Sequence, residues 1–274
     1  MSARETIRLG VVPYLNVQPL IAHLSTPIDG VEICPAVPSR LVGLLAERAV
    51  DVAIAPVFSL LDHPDWAMVP GVGIACDGPV ESVVMVSASP RDDIRRVVLD
   101  PASMTSSALV QVLWRGHWRR DVEFIRRSQV HLNRELGTAY LLIGDRALRL
   151  RREFDHVVDL GEAWKEWTGL PFVFAVWVVR EGVDIGPLAE RLMEAPEHHS
   201  QDLFVEIARA HCGEIGISPE EGLTYLQSSL RFRLGDLEME GIRRYLHECQ
   251  GLGFGPREPV ALSILRRGDS EETV

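Results

Sequence analysis

The sequence predicts an α/β protein folded as two lobes around a ligand cleft, and three observations carry that prediction. Short apolar runs with strand character alternate with stretches of helical periodicity. Two of those runs, Val83 to Val86 and Phe172 to Val179, bracket a middle segment with strand and helix units of its own. The first lobe is therefore expected from both ends of the chain (1–87 and 177–274), and the second from 88–176. Third, several strands empty into loops rich in neutral hydrogen-bonding side chains, at the strand ends where open α/β sheets hold their ligands.

The stretch Leu9 to Leu20 organises the rest. Its apolar run is broken by Pro13, and Pro19 suits a first helical turn, so a strand, a loop and a helix follow one another. Tyr14, Asn16 and Gln18 lie in the loop, which is expected to floor the cleft. Ser39 to Glu47 carries Leu41, Leu44 and Leu45 at helical spacing, with Ser39 as its expected N-cap or as an anion contact at the helix start. Asp51 to Val57 is the next buried strand, completing a parallel βαβ unit. From Val69 to Ser89, Gly71, Gly73, Gly78 and Pro79 are expected to interrupt the chain. The apolar strand from Ser82 then runs into a Ser/Pro hinge at Ser87 to Pro90.

Arg96 to Asp100 reads as a short strand. Ser103, Thr105, Ser106 and Ser107 follow, placing hydroxyls and amides before a helix expected over Ala108 to Trp114. This is the strongest anion-site signal in the chain, and helix capping alone would also produce it. Thr138 to Ile143 is a further buried strand closing on Gly144 and Asp145, the latter either facing the cleft or capping the next helix. Trp164, Trp167, Phe172, Phe174 and Trp177 are expected mainly in the core, with Phe172 the candidate for the pocket wall. After Arg180 the pattern reads as wholly helical, with a capping box at Ser218 to Glu221 and an amphipathic helix over Asp236 to Cys249.

Composition excludes several function classes. The chain has 274 residues, 46% hydrophobic and 24% charged, as in ordinary globular proteins. Its net charge of -11 opposes general attraction to nucleic acid or an anionic membrane. Met1 to Arg8 lacks an apolar core of secretory length, and the longest apolar run falls far short of the roughly 20 residues that span a bilayer, so a cytoplasmic protein is expected. Cys34, Cys76, Cys212 and Cys249 are dispersed without a CxxC pair, as buried thiols would be. The glycines at 71 and 73 miss the dinucleotide fingerprint because Cys76 stands where its third glycine belongs, and no P-loop, HExxH or GxSxG occurs. No metal and no cofactor is expected.

Six segments in register resemble one family. They are Val12-Pro-Tyr-Leu-Asn16, Val37-Pro-Ser-Arg40-Leu, Asp77-Gly-Pro-Val-Glu-Ser82-Val, Thr105-Ser106, Ile143-Gly-Asp-Arg-Ala-Leu and Gly169-Leu-Pro-Phe-Val-Phe-Ala-Val-Trp177. Together they resemble the chorismate dehydratases of the futalosine route to menaquinone, over about Ile7 to Trp177. The resemblance implies a type II periplasmic-binding-protein-like fold and a lyase that converts chorismate to 3-[(1-carboxyvinyl)oxy]benzoate without a cofactor. Met104 stands where the family pattern suggests a more polar residue such as arginine, which leaves the amides and hydroxyls of that loop to hold a carboxylate. Asn16 is the residue expected at the reacting centre, as the resemblance also implies. Tyr14, Ser39, Ser82, Ser103, Thr105, Ser106, Gly144 and Asp145 are expected to bind the substrate. An asparagine is no Brønsted base, so two bases stay open: the substrate's own side-chain carboxylate, oriented by Asn16, or Asp145. A non-catalytic small-anion binding or sensor protein of the same fold, and the related dihydroxynaphthoate synthase, are the alternative readings.

Overall fold

A computed structural model describes residues 6–24, 30–127, 131–258 and 260–265. Two sheets divide the chain. Strands β1 (Ile7–Val11), β2 (Val31–Pro35) and β3 (Val52–Pro56) form a parallel set, joined by α1 (Gln18–Ile21) and α2 (Pro38–Ala46). Strand β10 (Phe172–Val179) returns antiparallel between β3 and the ten-residue β4 (Ala67–Cys76). The second sheet holds β5 (Val83–Ser87), β6 (Arg96–Leu99), β7 (Glu123–Arg126), β8 (Thr138–Ile143) and β9 (His156–Asp159), in the order β7-β6-β8-β5-β9. Helices α3 (Met104–Val112), α4 (Gly144–Leu150) and α5 (Leu160–Thr168) belong to this middle segment. The tail contributes α6 (Pro187–Glu194), α7 (Gln201–Ile215), α8 (Pro219–Thr224) and α9 (Asp236–Gly251), with the short strands β11 (Arg231–Arg233) and β12 (Ser263–Ile264) paired to β4. No described helix is long and apolar enough to cross a membrane.

Several sequence expectations are corrected here. Strand β5 pairs with β8 and β9, so it lies in the second sheet, and all of β10 lies in the first. The crossings between sheets therefore fall between β4 and β5 and just before β10, earlier than the boundaries at 87 and 176, and Ser87 to Pro90 is no hinge. Gly71 and Gly73 do not interrupt the chain, because Ala67–Cys76 is one strand in which Gly71 at φ +77° absorbs a bend, whereas Gly78 and Pro79 lie in the break between β4 and β5 as expected. A Cβ at Gly73 would stand 2.7 Å from the Ala175 carbonyl, so this glycine lets β4 and β10 approach. The tail is not wholly helical, since Arg231 to Arg233 caps the open edge of β4.

Buried aromatic and aliphatic side chains fill the space under both sheets, with Trp114, Trp164 and Trp177 fully enclosed. The two crossings are tied by the chain's one lysine. Lys165 Nζ sits 2.5 Å from Asp77 Oδ1 at the first and donates to the Gly169 carbonyl at 2.8 Å at the second. The carboxylate of Asp159 accepts from the N–H groups of Val80, Glu81, Gly161 and Glu162, fixing the first crossing onto the start of α5.

In the first sheet Asp51 ties the strands whose ends form the cleft. Its carboxylate takes hydrogen bonds from Arg8 on β1 and from Arg180 just past β10. Burial alone would raise this carboxyl, yet the two arginines hold it below its ordinary 3.8. A depressed carboxylate stabilises the fold above its unfolded pKa and loses that contribution as pH falls through the folded value. Asp51→Asn should cost about 1–3 kcal/mol at neutral pH, a buried-pair loss discounted for the partly exposed arginines. Denaturant titrations should show the gap to the wild type narrowing below pH 3.8. A gap that stays constant through the acid range contradicts this.

Candidate active site

A cavity opens between the two sheets, lined by residues of both. From the first sheet come the loop after β1 (Val12, Tyr14, Asn16, Val17), Pro38 at the start of α2, Ile54 and Pro56 of β3, and Phe174 and Ala175 of β10. The second contributes Ser82 and Val83, Ser103, Thr105 and Ser106 at the start of α3, and Ile143 and Gly144 where β8 meets α4. Seven sequence-predicted residues therefore share one hollow: Tyr14, Asn16, Ser82, Ser103, Thr105, Ser106 and Gly144.

The others lie elsewhere. Ser39 is the second residue of α2, whose N-cap is Val37, so Pro38 takes the cavity position and Ser39 caps nothing. Asp145 is set back from the wall, and its Oδ1 accepts the Leu15 N–H at 3.1 Å. It thereby pins the loop carrying Tyr14 and Asn16 to the opposite lobe. Burial pushes the Asp145 carboxyl up, and this amide only partly offsets that. Phe172 packs on Trp164 and Tyr245 in the core, and its neighbour on the same strand face, Phe174, reaches the cavity.

Helix α3 begins at Met104, earlier than the spacing suggested, so the serine cluster is its first turn. Ser103 caps it, its Oγ accepting the Ser106 N–H at 3.1 Å. Thr105 Oγ1 donates to the Phe174 carbonyl at 3.1 Å and accepts the Phe58 N–H at 3.3 Å. Its hydroxyl is a tie between lobes, and neither it nor the Ser106 amide is free for a ligand as expected. The N–H groups of Met104 and Thr105 and the Ser106 hydroxyl remain without an acceptor among the described residues. These donors sit at the positive end of α3, where an anion is favoured.

Asn16 Oδ1 is buried and has no partner among the described residues. Ser82 follows Glu81, whose φ of +61° is a left-handed geometry uncommon for a side chain with a Cβ. Glu81 is held there by Asp159 on its N–H and by Arg151 and Ser229 on its carboxylate. Two tyrosines of the tail were invisible as site residues in the sequence. Tyr225 donates to Ser82 Oγ at 2.8 Å and Tyr245 to the Thr105 carbonyl at 2.9 Å. Burial pushes both phenols well above the ordinary range, so both keep their protons. In the sequence each reads as one more apolar position on a helix, which is why no pattern singled them out.

Among the described residues, the one titratable side chain on the cavity wall is Tyr14, and burial, with Asp100 and Asp145 nearby, raises it. Among the described residues no group of three His, Cys, Asp or Glu side chains converges to hold a metal ion.

The family model for menaquinone biosynthesis matches residues 7–250. The chain belongs to that family. It is 31% identical over 270 residues to the chorismate dehydratase of Thermus thermophilus, with 90% of this chain and 96% of that one covered. The chorismate dehydratase of Campylobacter jejuni is 30% identical over 252 residues, covering 89% and 98%. Among solved structures, the alkanesulfonate-binding protein of Xanthomonas axonopodis pv. citri aligns at a TM-score of 0.64 and 15% identity, over 94% of this chain and 98% of that one. The fold is thus that of the periplasmic binding proteins.

Gly144 has φ +57°, and a Cβ there would lie 3.0 Å from Tyr14 Cδ2. Gly144→Ala should lower the melting temperature by about 2–6 °C, a left-handed penalty of about 1–2 kcal/mol in a domain this size. An unchanged melting temperature would mean that Tyr14 does not pack on this glycine.

Proposed function

We propose that this protein dehydrates chorismate to 3-[(1-carboxyvinyl)oxy]benzoate, with Asn16 at the reacting centre. One observation carries the mechanism: among the described residues, the cavity wall offers polar groups but no side chain able to act as a base near neutral pH. Family membership and the dehydratase relatives support the substrate.

Dehydration removes the ring hydrogen beside the enolpyruvyl ether together with the neighbouring hydroxyl. The electron pair left by the hydrogen spreads to the ring carboxylate and then expels the hydroxyl, which leaves as water by taking up the proton that the substrate's carboxylate has accepted, giving the aromatic product. The proton needs an acceptor, and the substrate's enolpyruvyl carboxylate is close enough within the same molecule to be one. Holding that carboxylate over the hydrogen is worth several kcal/mol, roughly 7 at the lower end for well-oriented intramolecular reactions. Asn16 is assigned to this positioning, its free Oδ1 accepting from the departing hydroxyl. The free amide of Thr105 and the Ser106 hydroxyl are assigned to the ring carboxylate, where charge grows in the transition state. Ser82 serves either carboxylate, and Tyr14 packs beside the ring. Asp145 is assigned a scaffolding role, because its carboxylate already holds the Leu15 amide.

Purified protein incubated with chorismate should consume it and release an aromatic product lighter by one water, identified by mass. Unchanged chorismate would remove this reading and leave an anion-binding one. Asn16→Ala should lower kcat by at least about 100-fold, the scale of one lost transition-state hydrogen-bonding group. Near-normal turnover would displace Asn16. Asp145→Asn keeps an acceptor for Leu15 and should stay within about tenfold of wild type, whereas a proton-abstracting Asp145 would lose about 100-fold or more.

A further inference from the structure

The tail supplies a group that the reaction scheme above leaves unused, and it lies directly behind the cavity wall. After α8 the helix widens into a π-type turn over Tyr225–Ser229, a departure often found at functional sites. Two side chains of that single turn grip two consecutive residues of the first crossing. Tyr225 donates to Ser82 Oγ at 2.8 Å, and Ser229 Oγ donates to Glu81 Oε1 at 2.6 Å.

The mount is rigid. Helix α8 opens with the reciprocal capping box of Ser218 and Glu221. A Cβ at Gly222 would stand 2.1 Å from Cys212 Sγ, so α8 is pressed onto α7 with no room for adjustment. The Tyr225 ring is fully buried. Its phenol therefore points at one place.

That place is Ser82, a residue of the cavity wall assigned to substrate. A hydroxyl both donates and accepts, so with Ser82 Oγ accepting from the phenol, the serine proton is free to be given away into the cavity. Tyr225 belongs to the tail and Ser82 to the first crossing, far apart in the chain, so no local interaction would set them against each other.

We propose that Tyr225 is a positioning residue of the site: it holds Ser82 as a hydrogen-bond donor towards the cavity, and so couples the helical tail to the chemistry. The proposal rests on the dehydratase reading for its kinetic consequence but not for its geometry. Because the phenol stays neutral, it acts as a fixed hydrogen-bonding group and not as an acid, and no limb of the pH profile should belong to it.

Tyr225→Phe removes one oxygen and keeps the ring, so the core stays filled. With chorismate as substrate, kcat should fall at least tenfold while KM changes less than threefold. Ser82→Ala and the double variant complete a cycle in which the two losses are strongly non-additive, as expected of a residue that acts through its neighbour. A merely structural role would give independent losses and a reduced active fraction with normal kcat per active site. That outcome, or a wild-type kcat in Tyr225→Phe, overturns the proposal. A readout independent of turnover separates it from the dehydratase reading. The Ser82 Cβ resonance in an isotope-labelled protein should shift in Tyr225→Phe, and an unchanged resonance overturns the proposal whether or not chorismate is consumed.

Discussion

The hydrogen bond from the Leu15 N–H to the Asp145 carboxylate crosses from one lobe to the other, between residues far apart in the chain. It fixes the loop that carries Tyr14 and Asn16 against the start of α4. The Thr105 hydroxyl, bound to Phe174 and Phe58, and the phenols of Tyr225 and Tyr245 make further ties of the same kind. Buried hydrogen bonds are strong where water is excluded and costly to break singly. The shape of the cavity is therefore a joint product of both sheets and the tail. The Leu15 contact also keeps the Asp145 carboxylate behind the wall and off the cavity lining.

The electrostatic design follows from the same economy of charge. A protein of net charge -11 repels a dianion at long range, and among the described residues the cavity wall carries no arginine or lysine to offset this. What it has is directional: the free Thr105 amide at the positive end of α3 and a set of hydroxyls. A fixed cation would stabilise a bound carboxylate before and after charge moves onto it, whereas oriented dipoles can favour the charge distribution of the transition state.

Much of this was legible in the residues. The parallel βαβ start, the two-lobed plan and most of the cavity wall follow from apolar runs that end in Pro13, Pro56 and Gly144, because strand ends and polar loops leave local signatures. Errors arose where distant contacts outrank local pattern. Gly71 and Gly73 read as breaks, yet they let a long strand bend and pack against β10. Ser39 has the chemistry of a cap, but Pro38 claims the first helical turn and leaves Val37 in the capping position. Asp145 looked equally suited to the cleft or to a cap, and a backbone amide from the other lobe decided its place. Tyr225 and Tyr245 carry no sequence signal at all, since a buried phenol and a buried phenylalanine occupy the same helical positions.

The central claim is that the substrate brings its own base to a wall that has none. The most direct measurement uses chorismate esterified only at the enolpyruvyl carboxylate, compared with free chorismate on the wild-type protein. The account predicts that the ester binds in the cleft and is dehydrated at least about 100-fold more slowly, the scale of a lost proton acceptor. Dehydration of the ester at the rate of chorismate would show that the protein supplies the base, and would contradict the account.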